Sequence, residues 1–234
     1  MEQALELARG PLFRFAFAAM LLGLIRLVVL SSIDLYALFT HAQSKRVPAG
    51  VVVRETLRWL FPFIRVPASQ RFVTLVSMAF HLCVIIVPVF LVGHILLWER
   101  GLGVRWPALD QRVADYMTLV AIGGGLFLFA RRASANLTRS LSRVQDYLLP
   151  LIIVLCFLSG YLAVHPAFSP FEYDATMLVH VASGDLVLLL MPFSKLSHVR
   201  LMPITHLVSE LGWRLVPDSG SRVSYTLGKE GEPV

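Results

Sequence analysis

The chain has 234 residues, of which 56% are hydrophobic and only 15% charged, and its mean hydropathy is +0.70. A soluble domain of this length would expose far more charge, so this composition excludes a soluble globular protein and indicates an integral membrane protein. The net charge of +6 is carried mostly by loops between apolar segments, so it reflects membrane topology and not nucleic-acid binding.

Five apolar segments that are long enough to cross a bilayer predict an all-α integral membrane protein, built as a bundle of five transmembrane helices. The predicted spans cover residues 11–40, 72–98, 116–130, 147–164 and 176–198. Within the first connection, segment 51–65 (VVVRETLRWLFPFIR) is amphipathic and is predicted to lie along the membrane interface. We expect one membrane domain over residues 1–200, surrounded by lipid, and a cytoplasmic tail over residues 201–234.

The distribution of Lys and Arg predicts the orientation in the membrane. The connections after the first and third spans hold six and four basic residues, whereas those after the second and fourth hold three and none. Cytoplasmic loops carry the excess of basic residues, so the N-terminus is predicted to lie outside and the C-terminal tail in the cytoplasm. We therefore expect a multi-pass protein of a prokaryotic inner membrane.

Two of the predicted spans each carry two histidines: His81 and His94 in the second, and His180 and His198 in the fifth. In a continuous helix, the 18 residues from His180 to His198 make five whole turns, so both rings are predicted on one face. Histidines at two depths on two helices predict bis-imidazole ligation of two b-type haems. The antiparallel orientation pairs His94 with His180 on the outer side and His81 with His198 on the inner side.

The second span fits this arrangement less well if it is a continuous helix. The 13 residues from His81 to His94 leave the two side chains about 140° apart around the axis. Pro88 lies between them and removes a backbone hydrogen bond, so a kink or local unwinding there would re-aim one ring. Gly93 and Gly184 lie close to the ligands, where a missing side chain leaves room for a porphyrin face.

The triple glycine at residues 123–125, in the third span, has two open interpretations. It leaves room for a porphyrin in the same way, or it serves the close helix packing for which membrane helices commonly use small residues.

Several motifs together carry a resemblance to a known family across residues 12 to 203. They are Gly23-Leu-Ile-Arg26, Phe80-His81, Val92-Gly93-His94, the triple glycine followed by Arg131-Arg132, His180, and Pro192-Phe-Ser-Lys-Leu-Ser-His198. In these motifs and their order the sequence resembles the gamma subunit of respiratory nitrate reductase. Relatives of that subunit are the cytochrome b subunits of sulfite-reductase-associated and heterodisulfide-reductase complexes. The resemblance implies five spans, an outer N-terminus and the same four histidine ligands.

Two features depart from the nitrate reductase subunit. The spacing between His81 and His94 is wider than in that subunit and fits better with the relatives from sulfur metabolism. Asp185, within the fifth span, occupies a position that is apolar in the nitrate reductase subunit. Both departures speak against nitrate reductase as the partner complex.

Together, the histidines and the resemblance predict a dihaem cytochrome b that carries electrons between quinone on the outer side and an iron–sulfur partner subunit on the cytoplasmic side. The quinone is menaquinone or ubiquinone, and either direction of flow uses the same ligands. His165 is a candidate acceptor of quinol protons, although an ordinary loop histidine is the alternative. Arg112 is a candidate for holding a quinone oxygen, or else an interfacial anchor. The rival prediction is a haem-free membrane anchor or a proton-relaying transporter subunit.

Two ionisable residues inside the predicted spans require partners, because a charge at this depth is costly. Asp185 is predicted to relay protons or to pair with Arg26. Arg26 alternatively pairs with a haem propionate, and the sequence leaves this choice open.

Overall fold

The computed structural model describes residues 1–41, 49–60, 66–197 and 219–230, and within these ranges every regular element is helical. The helices are α1 (Glu2–Leu7), α2 (Phe13–His41), α3 (Ala49–Leu60), α4 (Ala68–Phe90), α5 (Val92–Leu102), α6 (Gln111–Ser134), α7 (Asn136–Leu141), α8 (Gln145–Val164), α9 (Tyr173–Phe193) and α10 (Ser219–Leu227). A π-helical turn, Ala8–Leu12, joins α1 to α2, and short 3₁₀ turns cover Pro166–Phe168 and Lys195–Ser197.

The prediction of five helices that are long and apolar enough to cross a membrane is confirmed. These candidate spans are Glu2–Ala37, Ala68–Phe90, Gln111–Ser134, Gln145–Val164 and Tyr173–Phe193. Their outer faces are apolar: Leu75, Leu82 and Ile85 on α4 are each half exposed or more. Apolar stripes of this length on several helices are unfavourable in water and suit a lipid environment, as in a multi-pass membrane protein.

The chain separates into two compact units. The first comprises Met1–Met20 and Arg65–Lys195, and the second comprises Leu21–Ile64 and Leu196–Val234. These two units are not the membrane domain (residues 1–200) and cytoplasmic tail (residues 201–234) expected from the sequence. That division stays a prediction.

In the first unit, α6 packs between α4 and α8, and α8 packs between α6 and α9. Two glycines of the triple glycine make the approach of α6 close. A Cβ added at Gly125 would lie 2.6 Å from Cγ2 of Val154, and one at Gly124 would lie 3.2 Å from Cβ of Phe80. Of the two interpretations, helix packing therefore describes Gly124 and Gly125, whereas a Cβ at Gly123 meets no atom within 4 Å.

The second predicted span is not one helix from residue 72 to residue 98. Helix α4 ends at Phe90, Leu91 is extended (φ −70°, ψ 130°), and α5 begins at Val92. Pro88 lacks the amide hydrogen that would continue the ladder, and Gly93 weakens helix propensity just after it. The local unwinding expected near Pro88 is therefore present, and it separates His81 on α4 from His94 on α5.

The fifth predicted span is also shorter than expected, so the five whole turns from His180 to His198 are wrong. Helix α9 ends at Phe193, Ser194 is extended (φ −123°, ψ −175°), and a 3₁₀ turn follows. Pro192 lacks an amide hydrogen and so weakens the last turn. His198 itself lies outside the described residues.

The second unit contains the remainder of α2 together with α3 and α10. Helix α3 places Glu55 within 3.5 Å of Arg54 and 3.0 Å of Arg58, and the placement of α3 at the membrane interface stays a prediction. Arg26 is exposed on α2 in this unit, whereas Asp185 belongs to the first unit. The predicted pairing of Arg26 with Asp185 or with a haem propionate stays a prediction.

Candidate functional site

Two of the predicted ligands, His94 and His180, meet in the first unit. His94 lies in the first turn of α5, and His180 lies in the N-terminal half of α9. Their rings are parallel, with 3° between the planes and 6.0 Å between the ring centroids. The structure thus brings together the pair that the sequence assigned to the outer haem.

The hydrogen bonds of these two rings fix their tautomers. Nδ1 of His94 lies 2.9 Å from the carbonyl oxygen of Pro88, and Nδ1 of His180 lies 2.9 Å from that of Cys156. A carbonyl oxygen only accepts, so each Nδ1 carries the hydrogen and the ring lone pair is on Nε2. Histidines that bind a metal ion through Nε2 characteristically donate Nδ1–H to such an acceptor.

The spacing of the rings fits an iron between them. Two metal–nitrogen bonds of about 2 Å, with about 1 Å from each nitrogen to its ring centre, add up to about 6 Å between centroids. In the described part of the chain, no group of three or more His, Cys, Asp or Glu side chains could hold a metal ion. A haem iron needs only two protein ligands, because the porphyrin supplies the other four. The separation of the two ring centroids is thus the length that two axial ligands of a haem iron would have.

The break between α4 and α5 aims the His94 ring. The carbonyl groups of Pro88, Val89 and Phe90 would accept from the next helical turn if α4 continued. Here Nδ1 of His94 donates to the carbonyl of Pro88 instead. The indole Nε1 of Trp106 donates to the carbonyl of Val89 at 2.9 Å, and the amide of Leu109 donates to that of Phe90 at 2.9 Å. The sequence analysis missed Trp106, whose role depends on the return of the following connection to the end of α4.

Gly160 of α8 makes room for the His180 ring. A Cβ added there would lie 2.8 Å from Cε1 and 2.9 Å from Nδ1 of His180. The sequence analysis missed Gly160, because an isolated glycine signals nothing until the ring that crosses it is known. Gly184 is different, since a Cβ there would meet only Sγ of Cys156, at an ordinary 3.9 Å. A Cβ at Gly93 meets nothing within 4 Å, and the porphyrin contacts of Gly93 and Gly184 stay predictions.

The inner pair is described only in part. His81 lies on α4 with Nδ1 2.6 Å from the carbonyl oxygen of Ser77, so its lone pair is also on Nε2. Its ring meets Phe80 edge-on, with 5.3 Å between centroids. Because His198 lies outside the described residues, the pairing of His81 with His198 stays a prediction.

His165, the candidate proton acceptor, follows the last turn of α8 and faces Asp115 in the first turns of α6. Nε2 of His165 lies 3.2 Å from Oδ2 of Asp115, and the two side chains are 27% and 24% exposed. Gln111 donates to the other carboxylate oxygen at 2.8 Å, which holds Asp115 in place. Nothing in the sequence singles out Asp115, which is separated from His165 by the rest of α6, by α7 and by α8.

Arg112, the candidate for holding a quinone oxygen, is exposed in the first turn of α6, and its backbone amide donates to Asp110. An open cavity of about 380 Å³ is formed by α5 and by the connection between α5 and α6. Its described lining residues are Val92, Ile95, Leu96, Arg105, Trp106, Pro107 and Ala108. Neither Arg112 nor His165 is among them, and the quinone role of these two residues stays a prediction.

Asp185 is buried in α9, with only 3% of its surface exposed. Its Oδ2 has no hydrogen-bond partner among the described residues. A carboxyl oxygen without a partner is costly in a membrane helix, and the predicted roles of Asp185 in proton relay or in pairing with Arg26 stay predictions.

The opposite end of the first unit gathers basic residues around one carboxylate. Asp146, in the first turn of α8, contacts Lys195 and lies 3.5 Å from Nη1 of Arg132. It also accepts a hydrogen bond from the backbone amide of Arg143 at 2.8 Å. Lys195 therefore ties the end of α9 to the start of α8.

The comparisons with known proteins identify no function. No family model matches the chain. No solved structure matches it either. A curated protein of Nitratidesulfovibrio vulgaris strain Hildenborough, whose name states no activity, is 35% identical over 149 residues, or 63% of this chain. The chain spans 64% of the length of that relative. The resemblance to the nitrate reductase gamma subunit therefore stays an expectation.

Proposed function

We propose that this chain is the membrane cytochrome b subunit of a respiratory redox complex, with two b-type haems in a bundle of five transmembrane helices. It transfers electrons between quinone on the outer side and an iron–sulfur partner subunit on the cytoplasmic side of a prokaryotic inner membrane. The N-terminus lies outside and the C-terminus in the cytoplasm.

One observation carries this proposal: the parallel rings of His94 and His180 with both Nδ1 atoms bonded to backbone carbonyls. His94 donates to a carbonyl of α4 and His180 donates to a carbonyl of α8, so the tautomer of each ring is set independently of the other. An ordinary packing role for two membrane histidines does not require that both lone pairs remain on Nε2.

The ligand residues divide between two sites. His94 and His180 hold the outer haem through Nε2, while His81 and His198 hold the inner one. When bound, haem b supplies one-electron redox chemistry, and the protein sets its depth, its hydrogen bonding and its exclusion of water. Gly160 keeps the His180 ring free to reach its position, and the carbonyl of Pro88 orients the ring of His94.

At the outer end, quinone binds where His165 at the end of α8 meets the first turns of α6, which also carry Arg112. His165 accepts the proton that a quinol loses, and the carboxylate of Asp115, 3.2 Å away, stabilises the imidazolium that forms. Both side chains are partly exposed, so the proton passes on to water.

At the inner end, basic side chains outnumber acids and suit an acidic face of the partner subunit. Arg132 and Lys195 contact Asp146, while Arg131 belongs to the last turn of α6 and Arg139 to α7, which precedes Asp146 in the chain. Complementary charge of this kind steers association and fixes orientation.

The test is a pyridine haemochrome assay per polypeptide on the purified protein, with His94→Ala, His180→Ala and, as a matched control, His41→Ala. We expect two haems b in the wild type and in the control, and one in each of the two variants. Combining His94→Ala with His180→Ala removes no further haem, because both residues hold the same one.

The rival function, a haem-free anchor or a proton-relaying transporter subunit, predicts a different result. A folded wild-type preparation without a Soret band would refute the cytochrome proposal. Loss of both haems from His180→Ala alone would refute the pairing but not the class of protein.

A further inference from the structure

The break in the second span leaves three carbonyl groups at the end of α4 without helical partners. In a continuous helix the carbonyls of Pro88, Val89 and Phe90 would accept from the amides of residues 92 to 94. Instead, the amides of His94 and Ile95 both bond to the carbonyl of Leu91, at 3.0 and 3.1 Å. The helical hydrogen-bond ladder therefore restarts at Leu91, and the three carbonyl groups before it need donors from elsewhere in the fold.

Two of these three carbonyl groups receive their donors from the connection that follows α5. Trp106 reaches back 17 residues to donate its indole N–H to Val89, and Leu109 donates its amide to Phe90. The third carbonyl, that of Pro88, is then available to the ring of His94. Trp106 supplies the side-chain donor in this set, whereas Leu109 acts through its backbone.

Trp106 is anchored by its ring as well as by its N–H. It lies 6.2 Å from Trp98 between ring centroids, and Trp98 in turn packs edge-on against Phe17 at 5.3 Å. Aromatic side chains of this kind concentrate at the membrane interface, where the apolar ring and the N–H are both satisfied. The indole is therefore held in place while it caps α4.

We propose that Trp106 is a positioning residue: its N–H keeps the second span broken at Leu91 and thereby holds the ring of His94 parallel to that of His180. Without this donor, the carbonyl of Val89 competes for the amide of Gly93, as in a continuous helix. A continuous helix would turn the His94 side chain away from its observed direction by re-registering the first turn of α5. The aim toward a haem rests on the proposed function, whereas the holding of the break does not.

The variant that tests this is Trp106→Phe, which keeps an aromatic ring and removes the donor. Trp98→Phe is the matched control, because it alters the same aromatic group and leaves the bond to Val89 intact. Hydrogen–deuterium exchange of the amides of residues 91–95, followed by mass spectrometry, reads the break directly and needs no haem. We expect the amides of Val92 and Gly93 to exchange about tenfold more slowly in Trp106→Phe, the factor that corresponds to gain of one ordinary hydrogen bond as the helix closes across the break, and no change in Trp98→Phe.

A second readout separates aiming from general stability. Electron paramagnetic resonance of the oxidised, haem-loaded protein reports the angle between the two imidazole planes. We expect the signal assigned to the His94/His180 haem to shift and broaden in Trp106→Phe and to remain unchanged in Trp98→Phe. Trp106→His, which keeps a ring N–H, should restore both the exchange and the signal.

The outcomes distinguish this inference from the proposed function. Exchange that is unchanged or faster in Trp106→Phe overturns the inference even if two haems are bound. Slower exchange in Trp106→Phe, together with a wild-type protein that binds no haem, refutes the cytochrome proposal and leaves the role of Trp106 standing. If Trp106→Phe does not fold, a folded Trp106→His supports the donor role, and an unfolded Trp106→His overturns it.

Discussion

The rings of His94 and His180 lie parallel to within 3°, with their centroids 6.0 Å apart, although one belongs to a short helix after a break and the other to a long span. Neither orientation is a local property. The carbonyl that orients His180 comes from Cys156, 24 residues earlier, and the carbonyl that orients His94 exists as an acceptor only because α4 ends.

This parallel arrangement predicts the spectrum of the outer haem. In low-spin ferric haem, near-parallel imidazole planes separate the energies of the iron d orbitals and give a rhombic signal, whereas crossed planes give a highly anisotropic one. We expect electron paramagnetic resonance to show a rhombic component that is absent from His180→Ala. A highly anisotropic signal as the component lost in His180→Ala would contradict the observed ring planes.

Gly160→Ala should displace His180. The added Cβ would lie 2.8 Å from Cε1 of the ring, closer than non-bonded carbon atoms approach, and the ring would have to turn from the carbonyl of Cys156. We expect bound haem to fall from two per polypeptide toward one, measured by pyridine haemochrome. Gly101→Ala, where the added Cβ meets nothing within 4 Å, is the control and should retain both haems. Full haem content in Gly160→Ala would show that the ring does not need this space.

Gly125→Ala should destabilise the packing of α6 against α8 without touching a ligand. The added Cβ would lie 2.6 Å from Cγ2 of Val154, and overpacking of this kind costs about 1–3 kcal/mol. Thermal unfolding in detergent should therefore begin at a lower temperature than in the wild type. Adding Val154→Ala should recover part of the loss, because the two changes share one contact. If the effects of the two substitutions on thermal unfolding are strictly additive, the strain does not lie in the contact between residues 125 and 154.

Asp115→Asn should slow quinol oxidation and spare the haems. The carboxylate lies 3.2 Å from Nε2 of His165, and its loss removes the charge that stabilises an imidazolium there. We expect turnover with a reduced quinone to fall by about tenfold to a hundredfold, within the range of acid–base catalysis. Asp174→Asn, an exposed acid in the first turn of α9, serves as the control. Unchanged turnover in Asp115→Asn would exclude this pair from proton release.

Much of the fold could be predicted from the sequence, because length and hydropathy are local properties. The fourth span, Gln145–Val164, begins within two residues of the prediction and ends where it was predicted to end. The helix ends next to proline were harder to predict. Pro88 and Pro192 each weaken a helix, yet only the structure shows that one span restarts as α5 and that α9 stops before His198. Whether a proline kinks or ends a helix depends on the donors and acceptors that the rest of the fold supplies.

The sequence by itself predicted five helices that are long and apolar enough to cross a membrane, and it placed His81 and His180 on two of them, since composition and spacing follow directly from the residues. The tertiary structure alone decided how the outer pair is aimed. The partners that decide it are the carbonyl of Cys156, the vacant Cβ position of Gly160 and the indole of Trp106. Each lies far from its histidine or its helix in the chain, and such contacts exist only once the helices have packed.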